Sequence, residues 1–277
     1  MTPKEYCQDK AAASGSSFYY SFRILNAETR DAITAFYALC RELDDVVDEC
    51  KEANIARLKL AWWREELQLL YDGKPRHPVS QALLPVIAKG NIPHAWLEEI
   101  VDGMEMDLDQ QRYADYKSLL LYCHRAAGVV GQVAAEIFGY RNRQTLKYAH
   151  ELGLAFQLTN IIRDVGEDAM RGRIYLPLDE LEQYGVSPAD ILNRRHTENF
   201  RKLMQFQYER ATQIYSQALA LLPREDRKAQ RAGLAMAAIY QALLKEIQRD
   251  GFLVLDRKTS LPPLRKLWLA WKAMTFA

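Results

Sequence analysis

Long helix-compatible runs, broken at few places, constrain this chain more than any other feature. Apolar residues recur at three- and four-residue spacing, the period of a helix face, and strand-like alternation is hard to find. The breaks carry glycine and proline: DGKPRHP at 72–78, GNIP at 90–93, RGRIYLP at 171–177 and LPPL at 261–264. Between them the pattern predicts helices over 28–50, 53–71, 93–110, 115–139, 142–168, 197–222 and 225–249, with shorter ones at both ends. Helices this long on short connections predict an all-α antiparallel bundle. No self-similarity at a solenoid period is present. No linker divides the chain, so residues 1–277 are expected to form one domain.

Composition narrows the function. The chain is 49% hydrophobic and 26% charged, enough for a sizeable core and far from the profile of a disordered protein. Its 37 Lys and Arg against 36 Asp and Glu leave no positive excess for displacing counterions, so no nucleic-acid partner is expected. Cys7, Cys40, Cys50 and Cys123 include no C-x-x-C pair, so neither a zinc site nor a disulfide framework is indicated. The N-terminus, MTPKEYCQDK, lacks the apolar core of a signal peptide. The most apolar long segment, Ala232 to Leu244, falls short of the roughly 20 residues that cross a bilayer and reads as a core helix. A cytoplasmic location follows as an expectation.

Two segments carry the chemistry: YALCRELDDVVDE at 37–49 and QLTNIIRDVGED at 157–168. Residues four apart share a helix face, so Tyr37, Arg41, Asp44 and Asp48 form one stripe, and Asn160, Asp164 and Asp168 another. Their neighbours are apolar: Ile33, Phe36, Leu39, Val46 and Val47 in the first, Phe156, Leu158, Ile161 and Ile162 in the second. Carboxylates on a helix with little face left for water repel one another and need cations. Mg²⁺ suits them, because it takes one or two carboxylates and fills its shell with water and phosphate oxygens. Arg41 and Arg163 would hold phosphate by their planar forks. The bland reading is two acidic faces with local Arg–Asp pairs. Two matched segments weigh toward metal and phosphate. A diphosphate leaving group would use such charge, and the carbon cation left behind would need an apolar, aromatic-rich pocket. The chain has 15 Tyr, 9 Phe and 5 Trp to line one, although aromatics build cores first.

The pair of motifs resembles the squalene/phytoene synthase family of head-to-head prenyl transferases, and the resemblance runs along almost the whole chain. SGSSFYYSF at 14–22, GMEMDL at 103–108, YCHRAAGVVG at 122–131 and RGRIYLP at 171–177 match in order and spacing. Within the family the texture is nearest the bacterial presqualene diphosphate synthases of the hopanoid route. The resemblance implies an isoprenoid synthase helical bundle with a central cavity. It implies Mg²⁺ on Asp44 and Asp48, supported by Asp45, and on Asn160, Asp164 and Asp168. It places Ser17, Phe18, Tyr37, Arg41, Gln157 and Arg163 on the substrate diphosphate or chain. Arg173 and Tyr175 would close over phosphate, and Tyr122 and Tyr240 would line the cavity. The implied reaction condenses two farnesyl diphosphates to presqualene diphosphate and releases diphosphate; a Tyr or the released diphosphate takes the proton. Squalene, dehydrosqualene or phytoene are alternative products, and NADPH use stays open. A catalytically inactive helical interaction protein is the non-enzyme alternative.

Other features carry weaker signals. Gly128 and Gly131 allow close helix approach or leave cavity room. Asp102, Glu105 and Asp109 read as a polar face, the five His show no metal spacing, and Cys40 reads as a small buried filler. The C-terminal LRKLWLAWKAMTFA is amphipathic and basic. It either docks on the bundle or lies on a membrane at its inner face.

Overall fold

The computed structural model describes residues 1–14, 21–22, 24–50 and 52–275. Helix α1 (Pro3–Ala13) starts at a capping box of Thr2 and Glu5. Helix α2 (Ala27–Glu49) starts where the Asn26 side chain accepts the Thr29 N–H. It buries Ile33, Phe36, Leu39, Leu43, Val46 and Val47, the apolar stripe that the spacing predicts. Helices α3 (Ala53–Tyr71), α4 (Pro78–Ile87) and α5 (His94–Asp109) complete a first group. α1 and α4 pack on α2, and α3 packs on α4 and α5.

Helix α4 is absent from the sequence expectation, which reads that stretch as the space between two breaks. Pro78 sits in its first turn, where a missing N–H costs nothing, although Pro85 lies inside it. The preceding loop is held by a buried carboxylate: Glu66 Oε1 accepts the N–H groups of Arg76 and His77, both at 2.8 Å.

The expected helix over 115–139 forms in three parts. α6 (Tyr116–Cys123) runs into a π-helical turn at His124–Gly128 and continues as α7 (Val129–Phe138). The long central helix α8 (Gln144–Met170) packs on α6, the π turn and α7. At 27 residues it spans about 40 Å. A Cβ on Gly131 would lie 2.2 Å from the Ala149 carbonyl oxygen, and one on Gly153 would lie 2.2 Å from that of Ala127. Close backbone approach is therefore the reason for Gly131.

Short helices α9 (Leu178–Gln183) and α10 (Pro188–Leu192) also go unannounced by periodicity, being too short to show it. α11 (Glu198–Leu221) packs along α8. α12 begins later than the sequence suggests, spanning Arg231–Arg249 after a 3₁₀ turn at Arg224–Asp226. The cause is Asp226, whose buried carboxylate accepts from the Arg141 and Asn142 N–H groups and the Thr145 hydroxyl, tying that turn to the start of α8. A further 3₁₀ turn, Leu253–Leu255, packs on α8, and α13 (Pro263–Thr275) packs on α12.

Among the described residues no strand forms. An isolated bridge joins Arg112 to Ile174. With Ile174 N–H on Gln111 O and Leu178 N–H on Tyr113 O, it lays residues 174–178 along the segment after α5. Two apolar cores result, one built mainly by α2–α5 and one around α8, α11 and α12. The cavity is lined from both.

Candidate active site

Four residues at 3–4 spacing on α2, namely Tyr37, Arg41, Asp44 and Asp48, all line one cavity of about 640 Å³. So do Gln157, Asn160, Arg163, Asp164, Glu167 and Asp168 from α8. Two stripes that the helical period defines separately thus border the same space. The volume falls in the range of ligand pockets, ~300–1,000 Å³. Tyr122, Arg173, Tyr175 and Tyr240 also line it, while Ser17 and Phe18 lie outside the described residues. Asp45 is not among the lining residues. It pairs instead with Lys10 at 2.8 Å and with Arg41 at 2.5 Å.

Two carboxyls at the charged end of the cavity are held above their ordinary range. Burial pushes the Asp44 carboxyl up to about 6 despite Arg41 beside it, with Asp48, Asp45 and Asp107 adding repulsion. Burial, then the charges of Asp164 and Asp107, push Asp168 up to about 7. Asn160 donates to Gln157 Oε1 at 3.3 Å, but its own Oδ1 is buried with no hydrogen-bond partner among the described residues. An orphaned amide oxygen beside under-compensated carboxylates is an all-oxygen donor set, which fits a hard divalent ion. Among the described residues no three His, Cys, Asp or Glu groups converge tightly enough to cage an ion by themselves.

The two arginines of the motifs make the local pairs of the bland reading. Arg41 bonds Asp44, and Arg163 forks onto Asp164, with Nε to Oδ1 at 2.7 Å. Across the cavity, Arg171 and Arg173 reach from just beyond α8 to Asp48 Oδ1 on α2, at 2.9 and 3.1 Å. Lys258, after the second 3₁₀ turn, adds a charge at 2.6 Å from Glu167 and 3.3 Å from Asp164. The RGRIYLP motif contains Arg171, but nothing near Lys258 in sequence announces it.

Asp107 is the residue that sequence reasoning passed over. On α5 the expected polar face pairs with α3: Arg64 holds Glu98, Asp102 and Glu105, and Arg57 holds Asp109. Asp107 turns the other way, into the cavity wall, and is buried. It lies within GMEMDL, which marks the segment without singling out this carboxylate. Away from the charged end the walls are apolar and aromatic. Phe22, Ile33, Phe36, Leu152 and Phe156 line the cavity, and the Phe156 ring lies 4.8 Å from that of Tyr240, whose phenol interacts with Arg163. Cys40 also lines the wall, and burial raises its thiol to about 12.

An all-α bundle that encloses a cavity, acidic at one end and greasy at the other, is the architecture of the isoprenoid synthases. The fold matches a crystal structure of a dehydrosqualene synthase in complex with ligand, with a TM-score of 0.87 and 26% identity over 99% of this chain and 96% of that one. It also matches squalene synthase HpnC from Alicyclobacillus acidocaldarius, with a TM-score of 0.81 and 26% identity over 90% and 94% of the two chains. The chain belongs to the squalene/phytoene synthase family, whose model matches residues 11–265. Curated relatives include the phytoene synthases of Mycobacterium tuberculosis, 38% identical over 93% of this chain and 86% of that protein, and of Arthrospira platensis, 34% identical over 95% and 89%. The family comprises head-to-head transferases of isoprenoid biosynthesis that act on prenyl diphosphates and are generally dependent on divalent metal.

Proposed function

We propose that this protein condenses two farnesyl diphosphates head to head into presqualene diphosphate, releasing one diphosphate. The observation that carries the reading is the pair of acidic helix stripes bordering one cavity whose far walls are apolar. Asp44 and Asp48 on α2, with Asn160, Asp164 and Asp168 on α8, would hold Mg²⁺, which when bound neutralises charge developing on the leaving diphosphate. Arg41 and Arg163 exchange their carboxylate partners for diphosphate oxygens as substrate enters. Arg171, Arg173 and Lys258 add charge at the same end. Gln157, Tyr37 and Tyr175 orient the substrates, with Ser17 and Phe18 contributing from the N-terminal motif.

The C–O bond of one substrate then breaks, and the electron pair leaves with the diphosphate. The 2,3 double bond of the other attacks the allylic cation, and loss of one proton closes the cyclopropane. Phe156, Leu152, Tyr122 and Tyr240 exclude water from the cation until the ring has closed. Both acidic stripes serve one domain in this reading.

The names of the two structural neighbours, a dehydrosqualene synthase and a squalene synthase, support products built from farnesyl units. A second reading, phytoene from two geranylgeranyl diphosphates, draws on the names of the curated relatives. Mass spectrometry of products from each substrate, with and without NADPH, tests both. Presqualene diphosphate from farnesyl diphosphate without NADPH is the expected result; phytoene from geranylgeranyl diphosphate alone overturns it.

The reading extends to location as a proposal: a cytoplasmic protein that rests on the inner face of a membrane. No helix in the described residues is long and apolar enough to cross a bilayer. α13 docks on α12 through buried Ala270 and an Arg265–Glu246 ion pair of 2.9 Å, so the docking alternative is realised. Its outer face nevertheless exposes Leu264, Leu267, Trp268 and Trp271, with the Lys272 ammonium over the Trp268 ring. Interfacial tryptophan beside lysine suits an anionic headgroup layer. Flotation with anionic liposomes should weaken when residues 262–277 are removed, and equal flotation removes the membrane contact.

A further inference from the structure

Four carboxylates are buried among the described residues: Glu66, Asp107, Glu180 and Asp226. Three have conventional compensation. Glu66 accepts two backbone N–H groups, Glu180 is held by Arg210 and Gln207, and Asp226 accepts two backbone N–H groups and a hydroxyl. Asp107 differs. It makes no ion pair among the described residues, and both of its hydrogen bonds come from phenols. Tyr175 OH donates to Oδ1 at 2.6 Å, and Tyr122 OH donates to Oδ2 at 3.0 Å.

All three groups line the cavity. The two phenol rings stack with centroids 5.2 Å apart, and Gln157 Nε2 donates to the Tyr122 oxygen at 3.5 Å. Tyr122 therefore has its proton directed at Asp107 and its oxygen fixed from α8. A carboxylate kept from water, with exchangeable phenolic protons as its hydrogen-bond donors, is a base in need of a proton rather than a strut.

We propose that Asp107 is the terminal acceptor of the proton lost in cyclopropane closure, acting through Tyr122 as a positioning residue. The step rests on the condensation proposed above. As the C–H bond of the condensed cation breaks, its electron pair closes the ring. The proton passes to the Tyr122 oxygen while the phenol's own proton passes to Asp107 Oδ2. Tyr122 ends as a phenol and Asp107 as a neutral acid, which returns its proton to solvent when products leave. Burial, partly offset by Tyr175, Arg173 and Tyr122 and reinforced by Asp48, raises the Asp107 carboxyl to about 6, the direction that favours its taking up a proton. Asp44 and Asp168 also act on it through their charges, and Tyr113 and Cys123 complete its titratable surroundings.

The test measures coupling: diphosphate released per molecule of presqualene diphosphate, with farnesyl diphosphate and Mg²⁺. For the wild type this ratio should be near one. In Asp107→Asn the condensed cation still forms with release of diphosphate, but it cannot lose its proton and is captured by water as an alcohol that keeps the second diphosphate. Presqualene diphosphate should fall roughly 100-fold or more, and the ratio should rise at least about tenfold as condensed alcohol diphosphates appear, with KM near wild type. A structural role would lower both outputs together and keep the ratio near one, and that result overturns the proposal. Asp107→Glu retains a carboxylate and should restore coupling above Asp107→Asn; equal uncoupling in both also overturns it. Wild-type protein that releases no diphosphate from any prenyl diphosphate removes the condensation reading itself, a failure distinct from a coupled Asp107→Asn enzyme.

Discussion

Replacing Asp168 with Asn should stabilise the metal-free protein while destroying its activity. The Asp168 carboxyl is raised from an ordinary 3.8 to about 7, first by burial and then by Asp164 and Asp107. Between those values the folded state holds a proton that the unfolded state has released. Stability therefore falls as pH rises through that window and stays reduced above it. Three units amount to about 4 kcal/mol before solvent screening, and roughly 2 kcal/mol after a discount for a side chain that water partly reaches. Asn carries no charge and escapes this loss. For a chain of this size, thermal melts in EDTA at pH 8 should show Asp168→Asn unfolding roughly 4–6 °C above wild type. At pH 4 the two should nearly coincide. Adding Mg²⁺ at pH 8 should raise the wild type and leave the variant little changed, since the ion binds a folded site that the variant has lost. A variant that melts below wild type at pH 8 in EDTA would show that the carboxylate stabilises the fold, and the repulsion reasoning would fail.

Asp44→Asn should likewise abolish turnover while leaving the helical circular dichroism near wild type; retained activity contradicts its metal role. Gly131→Ala pushes a methyl to 2.2 Å from the Ala149 carbonyl, so separating α7 from α8 should cost at least about 2 kcal/mol, measured as a lower denaturant midpoint. Arg173→Ala removes the link from beyond α8 to Asp48 and should raise KM for the prenyl diphosphate more than it lowers kcat; an unchanged KM would argue against diphosphate binding there. Phe18→Ala should weaken substrate use but spare Mg²⁺ binding, read by steady-state kinetics and by metal titration.

Local signals account for the helices that could be read from sequence. α2, α3, α5, α8 and α11 begin and end within two residues of the periodic expectation, because each is long and carries an apolar stripe between breaks. α4, α9 and α10 are too short for a period to show. The late start of α12 reflects Asp226, whose partners lie more than 80 residues away in sequence. The same division runs through the candidate site. The stripes of Tyr37, Arg41, Asp44 and Asp48 and of Asn160, Asp164 and Asp168 follow from 3.6 residues per turn and line the cavity, whereas Glu167 lines it without having been singled out. Asp45 looks like one more carboxylate of the first motif, yet one position of rotation points it to Lys10. Asp107 sits in an acidic stretch whose other members are solvated Arg partners. Its difference is a matter of which way α5 rolls against its neighbours.

By itself the sequence determined an all-α chain, two oxygen-rich helix faces and the motifs that place it in a family of prenyl transferases, because those properties depend on periodicity and near neighbours. Tertiary structure decided that both faces border one cavity, that Arg171, Arg173 and Lys258 close its charged end, and that Asp107 lies between two phenols. Those facts depend on contacts between residues 15 to 125 positions apart, and the packing of helices and their connecting segments sets which of them meet.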